Sequence, residues 1–180
     1  MSGAILVVDY DPQWPAVFTG IKEVLAAALA EVPVVAIEHV GSTSVPGVAA
    51  KPIIDVDVVV HRQFVGRAID AIQLAGYEPL GDLGIPDRYA LKAPPGATRQ
   101  NVYVTVEGCL SLRNHLGLRE ALRNDAALRD EYSATKRRLA ADTDDIDVYV
   151  VGKNAIVRRI LQRAGLATGD LDEIEQLNQR

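Results

Sequence analysis

The chain carries one cysteine, one tryptophan, one methionine and two phenylalanines among 180 residues, and aromatics total only 5%. A single thiol, Cys109, excludes an internal disulfide framework and any multi-cysteine metal site, and suits a reducing, cytoplasmic setting. Long apolar runs are missing as well. None approaches the roughly 20 residues a membrane span requires, so no membrane partner is expected. The start reaches Asp9 after a short apolar run, Ala4 to Val8, with no basic flank, and does not read as a signal peptide. Positive charge is in deficit, with 19 Lys and Arg against 24 Asp and Glu. An acidic balance argues against a long nucleic acid, whose binding relies on a basic face. It leaves room for a small phosphate-containing substrate held by a few local cations. Lysine is the scarcest of the Asp, Glu, Lys and Arg set: Lys22, Lys51, Lys92, Lys136 and Lys153 are all there are.

What is present is ordinary for a folded protein: 48% hydrophobic and 24% charged residues, with length enough to bury a core as one domain over residues 1–180. Residues 14–30 read as a helix, with Phe18, Ile21, Leu25 and Leu29 at helical spacing. Residues 33–39 read as a strand, 41–52 as a loop with one helical turn, and 53–60 as the strongest strand. A second helix follows over 64–76, then short strands near 77–80, 89–92 and 101–106. Helices are expected at 110–124, 126–141 and 145–165, and a polar tail from about 169. The pattern is an N-terminal α/β part followed by helices that cover it, an α+β arrangement.

Alternation along 53–60 puts Asp55 and Asp57 on one face and Ile54, Val56, Val58 and Val60 on the other. The two carboxylates then stand about 7 Å apart along the strand. Like charges that close, inside an apolar segment, call for a cation, or for an edge strand whose polar face meets water. Mg²⁺ (or Mn²⁺) suits one or two carboxylates and keeps its other positions for water and phosphate oxygens. The preceding loop adds phosphate donors: Gly41 for close backbone approach, then the hydroxyls of Ser42, Thr43 and Ser44, with Lys51 as a point charge.

The run His39-Val40-Gly41-Ser42-Thr43-Ser44-Val45-Pro46-Gly47, followed by Ala50-Lys51-Pro52-Ile53-Ile54-Asp55-Val56-Asp57, resembles the signature of the GrpB-like family, which belongs by fold to the nucleotidyltransferase superfamily. The resemblance continues through Tyr10-Asp11-Pro12-Gln13-Trp14, Gly84-Ile85-Pro86-Asp87-Arg88, Leu118-Arg119-Glu120, Leu122-Arg123, Tyr132 with Lys136, and Tyr149 with Lys153, over about residues 8–166. It implies a small mixed β-sheet flanked by helices, with the Gly-Ser loop and the Asp pair forming a nucleotide site. In active nucleotidyltransferases the two aspartates hold divalent metal, and a carboxylate on a neighbouring strand completes the set. This sequence departs there. On the strand 99–104 the family usually shows a His-x-His arrangement, and here Asn101 and Tyr103 stand in those places. Neither is a base near neutral pH, though either can contact substrate.

Arg119/Arg123, Tyr132/Lys136 and Tyr149/Lys153 are each spaced i, i+4, so each pair shares a helical face. They read as a basic wall for a triphosphate, or as solvated surface with Glu120 and Asp130 as partners. Their match to the family pattern, with that of Arg88, favours anion contact. His39 is expected either to orient the loop or to touch ligand. Cys109 reads as a structural thiol, and Trp14 as core. The acidic run 142–147 reads as a helix cap through Thr143 or Asp144.

These features together suggest a metal-dependent nucleotidyltransferase-like enzyme using ATP or another NTP. It would nucleotidylate a small acceptor or activate a carboxylate as an adenylate. The alternative is a non-catalytic nucleotide-binding or partner-binding domain, since related domains occur fused to dephospho-CoA kinase. A third reading is small-RNA contact through the arginine-rich helices.

Overall fold

The computed structural model describes residues 4–179. The first three residues of the start and Arg180 of the expected tail lie outside the described residues. The chain forms two compact units.

The first unit, Pro12–Val40 and Ile53–Leu112, is the α/β part. Helix α1 (Trp14–Ala28) opens it, with Pro15 at the position where a missing N–H costs nothing. Strands β1 (Ala36–Val40) and β2 (Ile54–Val60), helix α2 (Val65–Leu74), and strands β3 (Glu78–Gly81), β4 (Arg88–Lys92) and β5 (Gln100–Val106) follow. The sheet order is β1-β2-β5-β4-β3. Only β2 and β5 run parallel; the other neighbours are antiparallel, so the sheet is mixed, as expected. Val56, Val58, Val102 and Val104 are fully buried on one face. That face receives α1, because His39, the cross-strand partner of Val56, stacks on Phe18 with ring centroids 4.7 Å apart. Ile72 and Ala68 of α2 and Leu25 of α1 complete this core, and Trp14 is buried as expected.

The second unit comprises Gly41–Pro52, the described part of Met1–Asp11, and the helices after Leu112. Val8 and Ala50 form an isolated bridge with both amides donating at 2.9 Å. Helix α3 (Leu110–Asn124) runs into this unit and is followed by α4 (Ala126–Asp142). Asp125 caps α4, its carboxylate accepting from the Leu128 N–H.

Two expectations change here. The helix expected over 145–165 is two helices, α5 (Ile146–Gly152) and α6 (Asn154–Arg163), divided at Lys153. Gly152 is a poor helix former, and it lies so close to α4 that a Cβ there would stand 2.7 Å from a Leu139 methyl. The cap of α5 is Asp145 rather than Thr143 or Asp144: its carboxylate accepts from the N–H groups of Asp147 and Val148. Thr143 instead accepts from the Asp145 N–H, which holds the capping residue in place.

The expected polar tail is also a helix, α7 (Thr168–Leu177). Two of its three apolar positions, Leu171 and Ile174, lie one turn apart and are both buried. Arg158 of α6 reaches back to Asp172 and Glu175 of α7. A segment that is polar in composition folds because its few apolar residues share one stripe.

Candidate functional site

The sheet register brings the sequence-predicted acids and their neighbours onto one face. Asp55 lies opposite Asn101 and Asp57 opposite Tyr103, across the parallel β2–β5 pair. Ala90 pairs with Tyr103, and Arg88 with Thr105, on β4. Asp57 is wholly buried and Asp55 partly so. Asn101 donates from Nδ2 to Asp55 Oδ1 at 2.7 Å. The Arg88 guanidinium lies over the Tyr103 ring, 4.6 Å from its centroid. Burial first, then the Asp55 charge, push the Tyr103 hydroxyl up to about 12, against Arg88 and with a further contribution from Asp57. Tyr103 therefore stays a neutral hydroxyl, able to donate a hydrogen bond and unable to act as a base.

One acid was missed by sequence reasoning. Glu38 of β1 is the cross-strand partner of Asp57 on the same face. In the sequence Glu38 lies between Ile37 and His39, and only the antiparallel register reveals which acid it faces. Among the described residues, no three His, Cys, Asp or Glu side chains gather into a set that could hold a metal. The oxygen-only donor chemistry of the Asp pair still fits a hard cation that takes its remaining ligands from water and substrate.

His39 lies on the opposite face from the Asp pair, stacked on Phe18, so its observed part is packing. Glu107 is engaged at the strand end by His61, at 2.9 Å. The Cys109 thiol is pushed up by burial, with the Asp57 and Asp87 charges adding to it, and it accepts weakly from the Leu112 N–H. A protonated, half-buried thiol is an unreactive one.

The helical unit holds the loop and the cations. Gly41 has φ +68°, a left-handed conformation that favours glycine, and the short 3₁₀ turn Ser42–Ser44 follows it. The Ser44 hydroxyl donates to the Gly41 carbonyl at 2.6 Å and is thereby spent within the loop. Thr43 and Ser44 are buried. Ser42 is the loop hydroxyl that meets a cation: Lys136 Nζ donates to Ser42 Oγ at 2.7 Å. Lys136 is only 2% exposed and sits 4.3 Å from the Tyr132 ring centroid. Lys153 lies 4.6 Å and Lys51 5.8 Å from the centroid of the buried Tyr149 ring. Burial raises the Tyr149 hydroxyl, with Tyr132 as the neighbouring group that adds to it. Three of the five lysines thus converge on two neighbouring tyrosines.

The arginines are arranged differently. Arg119 and Arg123 both reach Glu120, at 2.9 and 3.5 Å, which relieves their mutual repulsion. Arg123 also donates to the Ser44 carbonyl at 2.8 Å. Its observed part is to brace the loop from outside. Ser133 of α4 fixes the loop further along, accepting from the Ala49 N–H.

The profile of the GrpB protein family matches residues 4–163. The chain belongs to the GrpB family. A solved structure of the conserved protein GrpB from Enterococcus faecalis superposes with a TM-score of 0.78 at 31% identity, covering 94% of this chain and 99% of that one. The chain is 32% identical over 168 residues to a UPF0157 protein of Halalkalibacterium halodurans, covering 91% of this chain and 84% of that protein. UPF0157 protein YqkA of Bacillus subtilis is 31% identical over 160 residues, or 88% of this chain. The chain spans 46% of YqkA, less than half of that relative's length. GrpB membership and the mixed sheet flanked by helices agree with the nucleotidyltransferase-like fold that the motif implies. Among the described residues, no helix is long and apolar enough to cross a membrane.

Proposed function

We propose that this GrpB-family chain binds a nucleoside triphosphate, with ATP as the first candidate, and transfers its nucleotidyl group to a small acceptor. The observation that carries the reading is the buried Lys136 ammonium held on the Ser42 hydroxyl, with Lys51 and Lys153 gathered on the adjoining Tyr149. Concentrated positive charge beside a glycine-hinged loop suits a polyphosphate, which Lys engages as a point charge. Asp55 and Asp57 would hold Mg²⁺ or Mn²⁺, which when bound would neutralise phosphate charge and orient the reacting groups. The chain's own residues supply the rest. Asn101 fixes one oxygen of Asp55, and Tyr103 offers a hydroxyl that remains protonated. In the transfer, an acceptor atom bonds to the α-phosphorus as the bond to the bridging oxygen breaks, and pyrophosphate leaves.

A non-catalytic nucleotide-binding domain is the second reading. It is favoured by the amide of Asn101 at the position where a third carboxylate or a histidine is expected. Both readings require NTP binding; they part on turnover. Incubation with Mg-ATP and a pool of small metabolites, with pyrophosphate as the readout, separates them. Release above the level of an Asp57→Asn control supports transfer. Binding with no release in any pool supports the accessory domain.

A further inference from the structure

A cleft of about 190 Å³ opens within the α/β unit beside β3, β4 and β5. It is smaller than the roughly 300–1,000 Å³ typical of drug-sized ligand sites, so its occupant is small. The strand register orders its lining. Gly81, Ala90 and Tyr103 form one row across β3, β4 and β5. Two residues along β4, Lys92 pairs with Glu78 and follows Leu91, the partner of Val102, so it stands level with Asn101. The cleft therefore has an apolar end, with Leu80, Leu83 and Ala90, and a polar end with Lys92 and Asn101.

The apolar end keeps two large side chains at the surface. Leu80 falls where the β3–β4 register shifts between Pro79 and Gly81, a bulge of the kind that re-aims a side chain. Leu83 holds φ +51°, a left-handed conformation that suits asparagine or glycine better than leucine. These residues are 43% and 62% exposed, so burial accounts for neither. Two leucines kept on the rim of one cleft point to an aliphatic ligand that covers them.

The polar end selects the charge of that ligand. Among the described residues that line the cleft, Lys92 is the one that carries charge. Its ammonium has three N–H groups, and one serves Glu78 at 3.0 Å. That ion pair is exposed on both sides and contributes little, so Lys92 can take a ligand oxygen beside Glu78 or in its place. Asn101 Nδ2 has two N–H groups and gives one to Asp55, which leaves a second. Gln100 is engaged at both ends, with the Thr98 carbonyl and the Tyr77 hydroxyl. Two donors, one of them cationic, suit an acceptor with a single negative charge. A carboxylate brings two oxygens and one charge. A phosphate would bring a second charge with no second cation in the lining.

We infer that this cleft binds a short aliphatic carboxylate, its head on Lys92 and Asn101 and its carbons against Leu80 and Leu83. The site rests on the lining alone. Its role rests on the proposed function, under which this carboxylate is the acceptor. A carboxylate is already ionised at neutral pH and needs no base, which suits a face where neither Asn101 nor Tyr103 is one. One of its oxygens would bond to the α-phosphorus as the bond to the bridging oxygen breaks. Pyrophosphate would leave with that bond's electron pair, and an acyl adenylate would remain.

The test is an NMR titration of the full chain with hexanoate, butanoate, n-hexanol and n-hexylamine at matched pH and ionic strength. The expected result is shifts at Leu83, Lys92 and Asn101 with hexanoate, which binds at least tenfold tighter than hexylamine. Each added methylene should tighten the carboxylate by about fourfold. Lys92→Met, at an exposed position, should weaken hexanoate severalfold and leave hexanol unchanged. Leu83→Asn, which suits the left-handed backbone, should flatten the dependence on chain length. Hexylamine binding as tightly as hexanoate, shifts elsewhere in the molecule, or an unaffected K92M would overturn the inference. Mg-ATP binding, measured separately on wild type and K92M, keeps the two claims apart. Hexanoate binding without ATP binding upholds the cleft and removes its acceptor role. ATP binding without hexanoate binding overturns the cleft. Binding of both, with no pyrophosphate released when hexanoate meets Mg-ATP on the protein, overturns the acceptor role.

Discussion

Asn101 Nδ2 lies 2.7 Å from Asp55 Oδ1, across the parallel pair of β2 and β5. The amide does for Asp55 part of what a cation would do: it offers a partial positive charge and fixes one oxygen. A carboxylate at position 101 would instead repel Asp55 until an ion entered. Asn101→Asp is therefore expected to tighten Mn²⁺ binding, by about tenfold or more, and to lower thermal stability without metal. Asn101→Ala should lose only a hydrogen bond, worth about 1–3 kcal/mol with a charged acceptor. Mn²⁺ titration followed by electron paramagnetic resonance, with paired melting curves, checks both.

Lys136 is a buried ammonium among aromatic neighbours, and its removal separates structure from function. Removing one member of a buried polar contact leaves its partner unsatisfied and costs stability. Lys136→Met, which takes the donor from the Ser42 hydroxyl, is expected to lower the melting temperature modestly while weakening Mg-ATP binding at least tenfold. Calorimetric titration beside a melting curve gives both numbers. A strongly destabilised variant with unchanged nucleotide affinity would make Lys136 a structural residue.

Asp145, not Asp144, caps α5, so the two alanine substitutions should differ. Asp145→Ala is expected to cost about 1 kcal/mol, within the usual range for a lost N-cap. Asp144→Ala should cost clearly less. Urea denaturation of both variants resolves a difference of that size.

Tyr103 gives a pH signature. Its hydroxyl is raised from the ordinary tyrosine value of 10.0 to about 12 in the folded chain. Folding thus favours the protonated form. That contribution is fully present below pH 10 and is lost as pH rises through about 12. Stability should fall over this window more steeply in wild type than in Tyr103→Phe. Spectrophotometric titration should show one late-ionising tyrosine missing from the variant.

Much of this was legible in the sequence because strand alternation is local. The period of two placed Asp55 and Asp57 together, and the family resemblance put Asn101 and Tyr103 on a strand beside them. The motif supplied the fold, and helical spacing supplied the Lys136 and Lys153 pairs. What was hidden depended on neighbours distant in sequence. Glu38 reveals its partner only through the antiparallel register. The division at Lys153 depends on how closely Gly152 approaches Leu139. The fold of α7 depends on burial of Leu171 and Ile174, which composition alone reads as a polar tail. His39 sits inside the motif, yet strand parity turns it to Phe18 and away from the acids.

The most direct test of the central claim is calorimetric titration of Mg-ATP into wild type and Asp55→Asn. The account predicts measurable binding to wild type, and binding to the variant that is at least tenfold weaker and no longer improved by Mg²⁺. Undetectable binding to both, or equal affinity with the same Mg²⁺ dependence, would contradict it.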